Sequence, residues 1–285
     1  MVTANMLTLR VLWLTVLALL AFAGNSLLNR AAFSHTSIDA TSFTLVRILS
    51  AALLLYVLLR VRRPLRQPAG SWLGAGYLFA YAALFSFAYI QLDTATGALL
   101  LFGAVQLTML ALGVKQLTQV SGWQWAGAGL ALAGIGWLLL PGASAPEPLS
   151  AFFMLCAGAA WGLYSLLGQR AGDAAANTAG NFLRASPLAL VLSVLFWPNL
   201  QWDPYGVLLA LISGAITSGL GYYIWYRVLP ALSALQAASV QLAVPVLAAI
   251  LGIVLLNEPL TLRLVSAAAV VLCGLGLVLL SKNRA

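Results

Sequence analysis

Charged residues are scarce in this chain of 285 residues: they make up 7% of it against 62% hydrophobic residues, and the mean hydropathy is +0.99. A soluble domain carries roughly 25% charged residues, so this chain cannot cover its own surface with polar groups in water. Its apolar runs are continuous and about 20 residues long, without the alternation of barrel strands. This pattern predicts membrane-spanning α-helices, which satisfy their own backbone hydrogen bonds.

Histidine, acidic residues and cysteine are also rare: one, six and two, respectively. A membrane enzyme usually gathers such residues near one face, and here they are dispersed, so we do not expect an enzyme. Cys156 and Cys273 stand alone in apolar runs, which predicts packing residues and neither a disulfide, a metal site nor another cofactor. Because no Asp, Glu or His falls deep inside a run, proton coupling through a buried carboxylate is not expected.

Ten apolar segments predict ten transmembrane helices, at 10–30, 38–60, 71–92, 95–114, 122–141, 149–169, 176–197, 204–227, 232–255 and 262–281. Arg10 and the run that follows it resemble a signal peptide, but the run continues to about Leu28 and has a counterpart later in the chain, which favours a first span. The turn at Pro230 predicts a tight hairpin between the eighth and ninth spans. The proline-rich segment 142–148 is predicted to link two halves, 1–141 and 149–285.

Basic residues are placed asymmetrically around these spans. Ten of the fourteen fall on the side of the N-terminus: Arg10, Arg60, Arg62, Arg63, Arg66, Lys115, Arg170, Arg227, Lys282 and Arg284. Basic loops remain in the cytoplasm, so both termini are predicted to be cytoplasmic in a multi-pass protein of the bacterial inner membrane. The net charge of +8 is therefore read as a topology signal, and no nucleic-acid partner is expected.

The two halves repeat each other at a shift of about 135–140 residues. Val105-Gln106-Leu107 aligns with Val240-Gln241-Leu242, and Arg47 with Arg184. Since each half has five spans, the second half enters the membrane inverted. The predicted fold is an all-α membrane protein of ten transmembrane helices in two inverted five-helix repeats, the architecture of secondary transporters with alternating access. An inverted-repeat channel or a duplicated structural protein is the alternative.

Small residues are concentrated in the fifth and tenth spans, which lack polar side chains in their interiors. They include Gly127 and Gly134 in the fifth span and Gly274 and Gly276 in the tenth. In lipid, small residues let helix backbones approach closely. These two spans are therefore predicted to form a packing scaffold distant from the substrate path.

Pro245, and the segment Leu256-Asn257-Glu258-Pro259-Leu260-Thr261 that is predicted to open the last helix, resemble the EamA-type ten-helix branch of the drug/metabolite transporter superfamily. The first half departs from that pattern, with Leu110 and Thr118 where proline and an acid are expected. This departure is similar to the aromatic amino acid exporters of the YddG group. The resemblance implies export of aromatic and other neutral amino acids.

Polar and aromatic side chains near mid-span are the candidates for substrate binding, because polar groups in hydrocarbon usually face a cavity. They are Asn25, Tyr81, Gln106, Trp161, Tyr164, Ser218, Tyr222 and Gln241. Amides and hydroxyls suit the carboxylate and ammonium of an amino acid, and rings suit an apolar side chain or a cation. Arg47 and Arg184 are predicted to bind a substrate carboxylate or, alternatively, to cap helix carbonyls.

These features predict a secondary transporter that exports small amphipathic metabolites through a midplane cavity. A multidrug or organic-cation exporter of the same fold is the alternative, although such a protein is expected to carry an acidic residue in its cavity. The predicted partners are a small-molecule substrate and the lipid bilayer, in a monomer or a homodimer.

Overall fold

The computed structural model describes residues 2–62, 66–113, 121–142, 145–169, 172–228, 231 and 240–280. Within these ranges the regular structure is helical, with ten main segments and no strand. They are α1 (Val2–His35), α2 (Ala40–Arg62), α3 (Trp72–Ala88), α4 (Thr94–Gly113), α5 (Gly122–Leu139), α6 (Pro148–Gln169), α7 (Ala174–Leu195), α8 (Pro204–Val228), α9 (Ala243–Leu256) and α10 (Leu262–Leu280).

Five of these helices, α1, α2, α6, α7 and α8, are long and apolar enough to cross a membrane. Their bounds agree with the predicted spans to within a few residues, although α1 extends beyond its predicted span at both ends. The predicted start of the ninth span at 232, the Pro230 turn and Thr118 lie outside the described residues. So do five of the residues that carry the charge asymmetry: Arg63, Lys115, Arg170, Lys282 and Arg284.

Helix packing has the same pattern in both halves. The pairs α2–α7, α4–α9 and α5–α10 each join one helix to the helix five places further along the chain. The other main pairs occur in matched sets: α3–α6 with α1–α8, α4–α6 with α1–α9, and α3–α7 with α2–α8. Exchanging α1–α5 for α6–α10 therefore leaves the principal contacts unchanged.

The starts of α2 and α7 are built in the same way. The Asp39 carboxylate accepts hydrogen bonds from the first turn of α2 and from the backbone N–H of Gln201, ahead of α8. The Asp173 carboxylate caps α7 and accepts a bond from Arg66, ahead of α3, at 3.0 Å. An acid at a helix N-terminus satisfies exposed N–H groups and complements the helix dipole. Each cap also ties its helix to the segment preceding a helix of the other half.

Helices α5 and α10 pack through glycine. A Cβ atom added at Gly127 would lie 2.5 Å from the backbone oxygen of Gly274, and one added at Gly274 would lie 2.6 Å from the oxygen of Gly127. The two backbones are in direct contact there, as small-residue helix pairs in membranes are. This pair lies beside the other eight helices, and none of its residues lines the central cavity described below.

Candidate functional site

Among the described residues one arginine is buried, and it occupies the middle of the helix bundle. Arg47 of α2 is 1% exposed. Its Nε donates to Ser218 Oγ at 3.2 Å, and one terminal nitrogen donates to the Tyr81 hydroxyl at 3.1 Å. Its other terminal nitrogen, Nη1, has no hydrogen-bond partner. Since neither bonded partner is a carboxylate, the guanidinium has a free donor and no counter-ion bonded to it.

Polar side chains from three other helices, α1, α3 and α8, hold this arginine in place. The Tyr81 hydroxyl, on α3, also accepts a bond from Asn25 Nδ2 of α1 at 3.2 Å. Asn25 Oδ1 in turn accepts bonds from the hydroxyls of Ser213, at 2.8 Å, and Thr217, at 3.1 Å, both on α8. Buried hydrogen bonds of this kind hold their members in place, while the Nη1 donor of Arg47 stays without a partner.

The α8 residues of this network stand on a π-helical segment, Ser213–Leu220, inside an otherwise α-helical rod. π-helical segments within α-helices are rare and frequently occur at functional sites. Here the segment brings Ser213, Thr217 and Ser218 onto α1 and α2. Gly214, in the same segment, packs directly on the α2 backbone at Arg47.

An aromatic cage lies next to the arginine. The Trp161 ring centroid is 4.9 Å from that of Tyr81, 4.8 Å from that of Tyr222 and 5.5 Å from that of Tyr164. The guanidinium carbon of Arg47 lies 5.3 Å from the Tyr81 ring centroid. Aromatic rings bind cations and apolar groups on their faces. Guanidinium and rings together offer an anion site beside an aromatic pocket, which we call the central site.

The cavity of the central site is small in this conformation. Its lining residues are Phe22, Asn25, Tyr81, Phe85, Leu101, Phe102, Trp161 and Tyr222. The free space is about 20 Å³, which is room for roughly one water molecule. A molecule of metabolite size therefore fits this cavity only when the helices separate.

The structure brings together six of the eight predicted site residues: Asn25, Tyr81, Trp161, Tyr164, Ser218 and Tyr222. Gln106 is buried on α4, one turn beyond Phe102, and Gln241 is half-buried just ahead of α9; neither lines the cavity. Phe22, Phe85 and Phe102 were missed, because an apolar ring has no distinguishing signal in an apolar chain. Ser213 and Thr217 carried a usable signal, since they are polar and lie near the middle of α8.

Arg184 occupies a different environment from Arg47. Its guanidinium donates to the backbone oxygens of Ala69 and Gly180, so it caps helix and loop carbonyls.

The alignment of the two halves that pairs Arg47 with Arg184 differs by about one helical turn from an alignment on their capping acids. Arg47 is the eighth residue after Asp39, and the eighth residue after Asp173 is Asn181. Asn181 bonds the Tyr164 hydroxyl, as Arg47 bonds that of Tyr81.

One end of the bundle is closed by Glu258, and we call it the Glu258 end. The Glu258 carboxylate accepts the backbone N–H and the hydroxyl of Thr94 at 2.9 Å, and Arg30 Nε lies 3.5 Å from it. Arg30 also donates to the backbone oxygen of Ile90, at 3.1 Å. These contacts join α1, the α3–α4 turn and the loop between α9 and α10. The opposite end, closed by Asp173 and Arg66, is the Asp173 end.

Two sequence-based expectations about Glu258 need correction. The acid does stand at a helix N-terminus, but it is that of α4; α10 begins at Leu262 and is capped by the Thr261 hydroxyl. Its side chain is only 9% exposed, so an acid is largely buried against helices of both halves. Neither the burial of Glu258 nor its contact with the start of α4 could be read from the sequence, because Thr94 lies 164 residues away.

Burial raises the pKa of Glu258 above its usual 4.5, and hydrogen bonds from Thr94 oppose the shift; Asp93 raises the pKa and Arg30 lowers it. The folded protein therefore binds this proton more tightly than the unfolded chain does. Stability from this group is present below pH 4.5 and is lost as the pH rises through the raised pKa. We expect the melting temperature of the wild type, relative to that of Glu258→Gln, to fall over that range. Parallel curves for the two proteins would contradict this.

Comparisons with known proteins agree with this architecture. Residues 148–280 match the model of the EamA-like transporter family. "Uncharacterized protein PA1977" of Pseudomonas aeruginosa is 56% identical over 271 residues, 95% of this chain and 94% of that protein. "Uncharacterized transporter YoaV" of Bacillus subtilis is 28% identical over 127 residues, 43% of this chain and 44% of that one. A crystal structure of 19% identity matches with a TM-score of 0.66 over 94% of this chain and 96% of its own, which shows a shared fold.

Proposed function

We propose that this chain, whose residues 148–280 match the model of the EamA-like transporter family, exports amphipathic amino acids, aromatic and other neutral ones, from the bacterial cytoplasm across the inner membrane. The observation that carries the substrate class is Arg47, a buried guanidinium with a free Nη1 beside an aromatic cage. Burying a cation without a counter-ion is costly, so a bound anion stabilises it. A substrate carboxylate supplies that anion, and its side chain fills the cage.

Alternating access is the proposed mechanism. The matched helix pairs support two inverted repeats, 1–141 and 149–285, joined by a linker at 142–148. The central site lies where the two repeats meet. Contacts close the bundle at both the Glu258 end and the Asp173 end. Separating one set of contacts while the other holds would expose the central site to one side at a time. The distribution of basic residues supports a cytoplasmic location for the Asp173 end and for both termini.

An organic-cation exporter is the alternative function within the same fold. The charge of the central site argues against it. None of the described residues that line the cavity carries a carboxylate, and the charged group over the Tyr81 ring of the cage is a cation, Arg47. A lipophilic cation in the cage would be repelled by that guanidinium in a site of low dielectric constant. The same charge favours a zwitterion whose carboxylate faces Arg47.

The direct test is uptake into proteoliposomes that contain the purified protein. We expect saturable flux of labelled L-phenylalanine, and we expect phenethylamine, which lacks the carboxylate, to compete poorly. The assay is run with and without a pH gradient, to detect coupling to protons. Flux of tetraphenylphosphonium without flux of phenylalanine would overturn the amino acid proposal in favour of a cation exporter.

Trp161→Ala should lower phenylalanine flux roughly tenfold, because it removes the ring that contacts Tyr81 and Tyr222 in the cage. Trp123→Ala is the matched control, since Trp123 is 68% exposed on α5 and should face lipid. Equal losses of flux in the two variants would remove Trp161 from the site.

A further inference from the structure

A second cavity opens at the ends of α2 and α8, near the start of α7. Its volume is about 360 Å³, many times that of the central cavity. We call it the arginine crevice. Its lining residues are Leu55, Leu58, Leu59, Arg62, Ala175, Tyr223 and Arg227. It lies at the Asp173 end, because Ala175 is in the first turn of α7.

Two like charges share one aromatic ring in this crevice. The guanidinium carbons of Arg62 and Arg227 lie 5.7 Å and 5.5 Å from the Tyr223 ring centroid. None of the described residues that line the crevice carries a carboxylate. Asp173, two residues before Ala175, is instead bonded to Arg66 and to the first turn of α7. A cleft lined by one sign of charge raises the local concentration of the opposite ion.

The crevice lies on the side of α2 that faces the protein interior. The side of α2 that faces outward carries Leu53 and Val61, which are 65% and 74% exposed. Arg62 stands instead on the same face as Leu55, Leu59 and Arg47, by helical spacing. Arg47 is fifteen residues away, about 22 Å along the helix. The crevice therefore leads toward the central site.

Leucine side chains separate the crevice from the central site in this conformation. Leu55 and Leu59 are 3% and 5% exposed and lie between Arg62 and Arg47 on that face of α2. They form an apolar barrier, so passage from the crevice to Arg47 requires α2 to move relative to α7 and α8. The crevice has the position of a vestibule outside a closed gate.

We propose that the arginine crevice is a water-filled capture site that concentrates the carboxylate-bearing substrate in front of Arg47. This inference rests on the proposed function for the identity of the substrate, but not for the affinity of the crevice for anions. Arg62 and Arg227 attract the carboxylate, and Tyr223 offers a ring to its side chain. The site is filled from the Asp173 end.

Charge-selective labelling tests the crevice without any transported substrate. In a background with Cys156→Ser and Cys273→Ser, Ala175→Cys places one thiol in the crevice. In inside-out membrane vesicles we measure how fast this thiol reacts with an anionic and with a cationic methanethiosulfonate reagent. Each rate is divided by the rate of the same reagent with a free thiol in solution, which corrects for the reactivity of the reagent itself. We expect the anionic reagent to be favoured. Arg62→Gln with Arg227→Gln should lower the anion-to-cation ratio about tenfold.

Arg60→Gln is the matched control, because Arg60 lies on the same turn of α2 but stacks on Tyr56 at 5.0 Å, away from the crevice. Arg60→Gln should change the anion-to-cation ratio by less than about twofold. If the double variant does not fold, Arg227→Gln alone replaces it in the comparison. A thiol that reacts with neither reagent means a crevice filled by lipid or protein and overturns the proposal. An anion-to-cation ratio that stays unchanged when both lining arginines are replaced overturns the proposal as well.

Transport then tests whether the captured anion is the substrate. Arg62→Gln with Arg227→Gln should raise the KM for L-phenylalanine presented at the Asp173 end about tenfold and leave the maximal rate close to that of the wild type. An unchanged KM contradicts a capture role. If the wild type moves no phenylalanine, the proposed function fails, and the labelling ratio still decides the fate of the crevice.

Discussion

Arg47→Gln is expected to abolish most transport while leaving the protein folded. Glutamine keeps a donor for Ser218 or Tyr81 but removes the charge and the free Nη1. Truncating one partner of a buried ion pair costs about 2–5 kcal/mol, so phenylalanine flux should fall by about thirtyfold or more. Because the empty protein loses a buried charge without a bonded counter-ion, its melting temperature should stay the same or rise. Flux and thermal unfolding of the purified variant are the two measurements.

Arg184→Gln is the control for this prediction. Arg184 donates to the backbone oxygens of Ala69 and Gly180, so its loss should lower the melting temperature. Flux should fall by no more than about threefold, because Arg184 is absent from the central cavity. The opposite pattern, with Arg47→Gln unstable and Arg184→Gln inactive but stable, would assign Arg47 a structural role.

Gly214→Ala should both destabilise the protein and impair transport. A Cβ atom at this position would lie well under 3.0 Å from the Arg47 backbone oxygen and from Ser50 Oγ, so α2 and α8 must move apart. Overpacking of this kind costs about 1–3 kcal/mol. The shift also lengthens the bond between Arg47 and Ser218, so flux should fall by roughly tenfold.

Gly76→Ala is the matched control for the glycine prediction. A Cβ atom added at Gly76, on α3, would meet nothing within 4 Å. Since alanine is the better helix former, this variant should be as stable as the wild type or slightly more stable. Thermal unfolding in detergent compares the two variants. If both behave like the wild type, the contact between α2 and α8 is not tight in the functional protein.

The sequence predicted the helices well because the signal for a span is its apolar length. The starts of α4 and α6, at Thr94 and Pro148, came within one residue of the predicted starts of their spans. The sequence also identified polar and aromatic residues of the central site, such as Asn25 and Trp161. A polar or amphipathic side chain is conspicuous in the middle of an apolar run.

The parts that sequence reasoning missed depend on contacts between distant residues. Identity of residue type suggested that Arg47 pairs with Arg184, whereas an alignment on the capping acids Asp39 and Asp173 pairs Arg47 with Asn181. The contact between Glu258 and Thr94 cannot be read from local spacing at all. Neither can the arginine crevice, because Arg62 and Arg227 come from opposite halves of the chain.

The central claim is that the Arg47 guanidinium receives the carboxylate of a transported amino acid. Solid-state NMR on the reconstituted protein measures this directly, with ¹³C in the carboxylate of L-phenylalanine and ¹⁵N in the arginine side chains. We expect dipolar coupling that corresponds to a carbon–nitrogen distance within about 4 Å, and we expect Arg47→Gln to remove it. Bound phenylalanine whose carboxylate shows no coupling to arginine, or coupling that persists in Arg47→Gln, would contradict the claim.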